Sequence, residues 1–319
     1  MSGLFAVFKK EVCDHFSSYR FIILFALIAM VSFITSYMAG LNMKENLEAL
    51  AKTRFPFLML FSSPGALFSM IQFVAFFGPL IGLILGFDSI NRERAQGTLI
   101  KLVSQPIYRD AVINGKFLAG VATISVLLVS VVLVISGFGL AIVGVVPGIE
   151  EIWRLLIYLL ISIFYISFWL GISILFSIFF KGIATSALAS VALWIFLSFF
   201  VSLGAEVAAN AIAPQDNKNR NRPELVIKNM RIKEIISISS PMVLYSKATE
   251  TIINPMRKTT GSIIMMGPME ELLASRFKNP LSLGQSMIVV FPHITTLIAI
   301  TLICFAISYL VFMKQEIRT

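Results

Sequence analysis

The passage FDSINRERAQGTLIKLVSQPIYRDAVINGK, residues 87–116, gathers eight charged side chains between two long apolar runs. Charges this dense could bind an ion, polarise a substrate or grip another macromolecule. The residues nearby give little support to bond-making chemistry. INGK, at 113–116, lacks the upstream glycine and the following hydroxyl residue of a G-x-x-x-x-G-K-[ST] loop, whose amides would cradle a nucleotide. The two histidines, His15 and His293, are expected on opposite sides of a membrane, so they form no two-histidine metal site. Cys13 and Cys304 lie near opposite ends of the chain and have neither disulfide-framework nor metal-ligand spacing. Neither a catalytic nor a metal site is expected. Any work this protein does must draw its energy from another chain.

The elements that position these charges follow from composition. The chain is 57% hydrophobic and only 13% charged, with mean hydropathy +0.88. Soluble domains carry about 25% charged residues, so this is an integral membrane protein. The net charge of +9 sits beside apolar runs or in one long loop, which indicates membrane topology and not nucleic-acid binding. Six runs, at 21–39, 65–87, 117–146, 155–180, 183–203 and 287–313, are long enough to cross a hydrocarbon layer of about 30 Å as helices. Helices are required because lipid offers backbone groups no partners. The first run exceeds the roughly 7–15 residues of a signal-peptide core and reads as a retained anchor.

Orientation follows from the short connections. With the N-terminus inside, eleven basic residues are cytoplasmic: Lys9, Lys10, Arg20, Arg92, Arg94, Lys101, Arg109, Lys116, Lys181, Lys314 and Arg318. Only Lys44, Lys52, Arg54 and Arg154 lie in short outer connections, so both termini are expected in the cytoplasm. The middle of every run lacks Asp, Glu, Lys and Arg. Gln72 reads as the most polar side chain near mid-span, and His293, after Pro292, suits an interfacial or capping role. Ion-coupled carriers keep ionisable groups in the membrane, so a self-powered secondary transporter is disfavoured.

Asp88 and Arg92-Glu93-Arg94 follow directly on the second run, whose helix should extend into the cytoplasm. Gly97 suits a helix end, and Thr98 can cap a following helix. Leu99, Leu102 and Val103 recur at helical spacing before Pro106 stops it. The expectation is a short amphipathic helix at the membrane surface, a lever between two rigid helices. The plainer alternative is a positive-inside loop whose arginines meet lipid phosphates. In the second run Gly78, Gly82 and Gly86 repeat every four residues, a spacing that lets membrane helices approach closely. Pro79 marks a kink. These residues serve either packing within one subunit or a subunit-interface or substrate-path hinge. The 28 phenylalanines form stripes that face lipid or core, compatible with an apolar or amphiphilic cargo.

Segment 204–286 carries eleven Lys/Arg against seven Asp/Glu. APQDNKNRNRPE, 213–224, is polar and turn-rich. Beyond it, helical periodicity broken at Pro241 and Pro255 predicts two or three short helices lying over the outer leaflet, as a lid, a docking surface or a structural cap.

The order FD-x-I-x-x-E-R-x-x-G-T-L-x-x-L-x-S-x-P-I-x-R, closing with GK, resembles the first cytoplasmic loop of ABC transporter permeases of the ABC-2 type. This chain departs from that pattern in reading Arg92-Glu93-Arg94 where relatives often show two acidic-basic alternations. FKKEVCDHFSSYRF, residues 8–21, is similar to the family's interfacial helix, with its Lys-Glu pair and an Arg before the first span. The outer segment resembles the insertion of the family's NosY-like branch. The resemblance implies an all-α, six-span permease half in a prokaryotic-type plasma membrane. It would have an interfacial helix at 1–20, five spans within 21–203 with a coupling loop at 88–116, an extracytoplasmic insertion at 204–286, and the last span and tail at 287–319.

The resemblance further implies a second permease subunit, identical or not, and two cytoplasmic ATPase subunits that hold ATP and Mg²⁺. The coupling helix would seat on the ATPase through Glu93, Arg94, Gly97, Thr98, Leu99, Leu102, Ser104, Pro106, Ile107 and Arg109. Beyond membrane lipid, no cofactor would be bound by this chain itself, and transport would run outward. The alternative is a membrane-embedded assembly or signalling subunit acting on an extracytoplasmic protein.

Overall fold

The computed structural model describes residues 2–45, 54–62, 69–98, 108–214, 223–255 and 281–314. The expected contact positions Leu99, Leu102, Ser104, Pro106 and Ile107 lie outside them. Among the described residues every regular element is a helix. They are α1 (Ser2–Phe16), α2 (Tyr19–Glu45), α3 (Met59–Ser62), α4 (Met70–Gly86), α5 (Asn91–Ala95) and α6 (Arg109–Phe138). After them come α7 (Ile149–Phe179), α8 (Ile183–Ile195), α9 (Val201–Ile212), α10 (Pro223–Ser237), α11 (Pro241–Ile253) and α12 (Leu283–Lys314). Single π-turns, Gly139–Val143 and Phe196–Phe200, extend α6 and join α8 to α9.

Among the described residues six helical runs are long and apolar enough to cross a membrane: Tyr19–Lys44, Met70–Ala95, Arg109–Val143, Ile149–Phe179, Ile183–Ile212 and Leu283–Lys314. They match the six expected runs, with shifted ends. The second starts later because Ser69 and Gln72 form a capping box: the Gln72 amide donates to Ser69 Oγ at 3.2 Å and the Ser69 amide to Gln72 Oε1 at 3.1 Å. Gln72 therefore satisfies orphan donors at a helix start and is not a mid-span polar group.

The bundle is organised around α4 and α7. The apolar windows of these two spans are 67% and 72% buried, against 22% for α2 and 17% for the α8–α9 span. Glycine spacing explains their closeness. A Cβ on Gly82 would lie 2.6 Å from the Ile166 carbonyl oxygen and 2.8 Å from the Leu170 nitrogen, so the α4 and α7 backbones nearly touch. Gly78 and Gly86 face Ile166 and Ser173 on the same helix. The stripe thus packs within the chain.

The insertion departs from the sequence expectation in two ways. The fifth span continues as helix to Ile212, so residues 204–212 belong to it. From there α10 folds back along α9, with Asn229 Nδ2 donating to the Ala213 carbonyl at 2.7 Å. The next helix, α11, does not rest on top of the bundle. Nearly all its side chains are buried, and Tyr245 bonds Ser162 and stacks on Tyr165. Tyr165 lies about 24 Å along α7 from Ile149 at 1.5 Å per residue. This hairpin also carries Lys247 and Glu250, both buried, among spans whose own middles lack ionisable groups.

Candidate functional site

The charged passage begins where α4 ends. The amides at the start of a helix lack intrahelical acceptors, and for α5 the neighbouring α7 supplies one: Ser177 Oγ accepts from the Ile90 and Asn91 amides at 3.0 and 3.1 Å. Asn91 Nδ2 donates to the Gly182 carbonyl at 3.3 Å. α5 is therefore fixed at its start to the fourth span and to the turn after it. Gly97, with φ +67°, ends the helical segment as its residue type predicts. Thr98 donates its hydroxyl to the Glu93 carbonyl at 3.2 Å, and the helix it is expected to cap lies outside the described residues. Arg94 is half-buried on α5 and Arg109 half-buried at the start of α6, while Gly97 and Thr98 are exposed.

Among the described residues, Glu93 is the one predicted contact residue that faces inward. Its Oε1 accepts from Lys116 Nζ at 3.0 Å and from Lys10 Nζ at 3.2 Å. Glu11 Oε1 accepts from the same two ammonium groups, at 2.8 and 3.2 Å. Two cations and two carboxylates thus join α1, α5 and α6. The Lys116 side chain is 3% exposed and both carboxylate side chains are 9% exposed, whereas Lys10 is 52% exposed and also reaches Asp14 at 3.6 Å. Burial alone would raise the Glu11 carboxyl, but Lys116 and Lys10 hold it below its ordinary range. Burial would likewise lower the Lys10 ammonium, yet Glu11 and Glu93 together keep it above its ordinary value.

Gly115, beside Lys116, lets α1 approach: a Cβ there would lie 2.8 Å from Val7 Cγ1. The GK dipeptide therefore has one residue for contact and one for charge. A second tie joins the start of α2 to the end of the second span, where Arg20 Nη1 meets Asp88 Oδ2 at 2.6 Å and its guanidinium lies 5.4 Å from the Phe87 ring centre. Between the two ties lies a cleft of about 440 Å³ lined by both charge signs, with Phe21, Ile84 and Leu85 as apolar wall. His15 also lines it, and burial holds its imidazole below the ordinary value despite nearby Glu11.

Sequence reasoning missed Lys10, Glu11, Arg20, Asp88, Lys116 and Ser177 as one assembly. The Lys-Glu pair, the Arg before the first span and the GK dipeptide were visible, but spacing along the chain does not show that they meet. Among the described residues no group of three His, Cys, Asp or Glu side chains could hold a metal. The site is suited to holding helices in fixed relation.

The opposite end of the bundle carries a matching tie. Arg154, fully buried, donates to the Ile252 and Leu281 carbonyls at 2.9 and 2.8 Å, to Ser286 Oγ at 3.2 Å and to Glu150 at 2.9 Å. Orientation counting treats Arg154 as an outer surface charge, but here it fastens the insertion to α7 and α12. Glu151 accepts from the Phe57 and Gly148 amides at 2.9 and 2.7 Å.

Two curated relatives, each named probable ABC transporter permease protein NosY, come from Pseudomonas aeruginosa and Stutzerimonas stutzeri. Each is 35% identical over 92 residues, 28% of this chain and 31% of the relative. The chain thus spans about a third of the length of the curated relatives it matches. A family model described as ABC-2 family transporter protein matches residues 5–317. Because that match extends over nearly the whole chain, from the α1 brace to beyond the last span, the protein belongs to the ABC-2 transporter family.

Proposed function

We propose that the chain is the membrane-spanning permease subunit of an ATP-binding cassette exporter in a plasma membrane, with both termini cytoplasmic. A separate ATPase subunit, holding ATP and Mg²⁺, drives it by gripping the 88–116 loop, and a second permease subunit completes the transport path. The observation that carries this reading is the brace at the base of that loop. Glu93 sits on the loop, Glu11 on the N-terminal helix and Lys116 at the start of the third span, and all three side chains are buried together. A loop that only met lipid phosphates would need exposed cations, not a buried cation shared by two carboxylates. A braced loop transmits force, because displacing α5 must also move α1 and α6. Ser177 extends the same connection to α7.

Affinity purification of the tagged chain in mild detergent tests this, with wild type beside Gly97→Pro/Leu99→Asp. A stoichiometric ATPase that the double variant loses is the expected result. An ATPase retained unchanged by that variant, or none with wild type, would overturn the loop's assignment.

A further inference from the structure

Pro79 lies within α4 and lacks an amide hydrogen, so the carbonyl four residues earlier, Ala75, loses its intrahelical donor. In an apolar interior an unpaired carbonyl is costly. Tyr165 on α7 fills the vacancy: its hydroxyl donates to the Ala75 oxygen at 2.7 Å. The Tyr165 ring is fully buried and stacks on Tyr245 of α11, with centroids 4.4 Å apart and planes 15° apart. Tyr245 is positioned in turn by Ser162, at 2.9 Å between hydroxyls. One tyrosine therefore touches both the carbonyl that Pro79 leaves unpaired in the second span and Tyr245 of α11.

Below the kink the two spans are joined more tightly. Ser173 Oγ donates to the Leu83 carbonyl at 2.8 Å, and Ser177 holds the start of α5. Tyr165, Ser173 and Ser177 are eight and then four residues apart, on one face of α7. Close backbone approach and the hydrogen bonds of two serines thus join α4 and its continuation to α7 from Gly82 to Asn91. The adjustable point of α4 is the kink, where a side chain from another helix supplies a bond normally made by the backbone.

We propose that Tyr165 is the positioning residue that sets the α4 kink, and that its stack on Tyr245 links the outer hairpin to that kink and hence to the cytoplasmic loop. The proposal rests on the ATPase-driven reading above. A displacement of α11 removes the ring that orients Tyr165, frees the Ala75 carbonyl and shifts α4, which leads directly into α5. The extracytoplasmic insertion is then a regulator of the ATPase. By linkage, the nucleotide state also alters the position of the hairpin.

The test compares Tyr165→Phe, Tyr245→Leu and Pro79→Ala, with both tyrosine variants repeated in the Pro79→Ala background, in the complex purified with its ATPase. Tyr165→Phe keeps the ring and loses only the hydroxyl. It is expected to lower ATPase rate about fivefold, the size of one neutral hydrogen bond. In the Pro79→Ala background the new amide serves Ala75, so the same change is expected to cost less than twofold, and Tyr245→Leu should behave alike. Equal losses in both backgrounds, or no loss in Tyr165→Phe, would overturn the proposal. If no ATPase accompanies the wild-type chain, the functional reading fails separately. The same variants read by thermal unfolding then decide the Tyr165–Pro79 link: a midpoint lowered in the native background alone supports it, and equal lowering in both refutes it.

Discussion

Replacing Lys116 with methionine removes the buried cation of the α1–α5–α6 brace and keeps most of its aliphatic volume. The two carboxylates then share only Lys10, at 3.2 Å from each. Breaking a buried ion pair by removing one partner costs about 3–5 kcal/mol, because the other charge is left uncompensated. Lys10 offsets part of this, so we expect a loss of about 2–4 kcal/mol. One Glu93 oxygen, Oε2, is already buried without a hydrogen-bond partner among the described residues, so the site has little spare capacity for solvation. Lys10→Met removes a cation that is half exposed, and the expected cost is about 0–1 kcal/mol. Adding Glu93→Gln to Lys116→Met removes the stranded charge and should recover at least about 1 kcal/mol, a coupling typical of contacting residues. Denaturant unfolding in detergent, with trypsin cleavage after Lys9 as a probe of α1 docking, measures these variants, wild type and Glu93→Gln alone. Equal costs for Lys10→Met and Lys116→Met, or strict additivity in the double variant, would refute the assignment of Lys116 as the centre of the brace.

Docking of α1 should also depend on pH, with two groups acting in the same direction. His15 and Glu11 both have folded-state values held below their ordinary ones, so each contributes stability above its unfolded value that is lost as pH falls. His15, beside Glu11, Asp14, Asp88 and Lys116, weakens docking first as pH drops below about 6.5, and Glu11 follows below about 4.5. Hydrogen exchange of residues 2–16 should rise in those two steps, and His15→Gln should abolish the upper one. Glycine substitutions should separate packing from backbone strain. Gly82→Ala places a methyl against α7 backbone that cannot yield, at a cost of roughly 1–3 kcal/mol or more. Gly97→Ala meets nothing within 4 Å and pays only for its positive φ, about 1 kcal/mol. The yield of monodisperse protein on size exclusion should therefore fall more for Gly82→Ala.

Much of this fold could be read from composition. The six spans follow from runs of apolar residues, a signal that depends on local sequence alone. Gly78, Gly82 and Gly86 showed that a helix approaches closely, but four-residue spacing does not name the neighbour, which proved to be α7. Gln72 was misread because a polar residue near an apolar run fits a mid-span site and a capped helix start equally well. Its pairing with Ser69 three residues earlier was the overlooked signal. The burial of α11 was hidden for a different reason. Pro241–Ile253 carries Lys247, Glu250 and several hydroxyl residues, so hydropathy places it outside the bundle. Only its partners, Ser162 and Tyr165 in the middle of a distant span, draw it inward. The Lys10, Glu11, Glu93 and Lys116 brace joins positions up to 105 residues apart, and charge pattern along the chain does not reveal such a meeting.

The central claim is that the loop rooted in this brace contacts a separate ATPase. A photo-crosslinking amino acid in place of Gln96, exposed at the end of α5, tests it in intact cells. The account predicts a crosslinked product containing a cytoplasmic ATP-binding subunit, formed from position 96 and lost when Lys116→Met loosens the loop. Crosslinks only to lipid, only within the chain, or undiminished by Lys116→Met would contradict it.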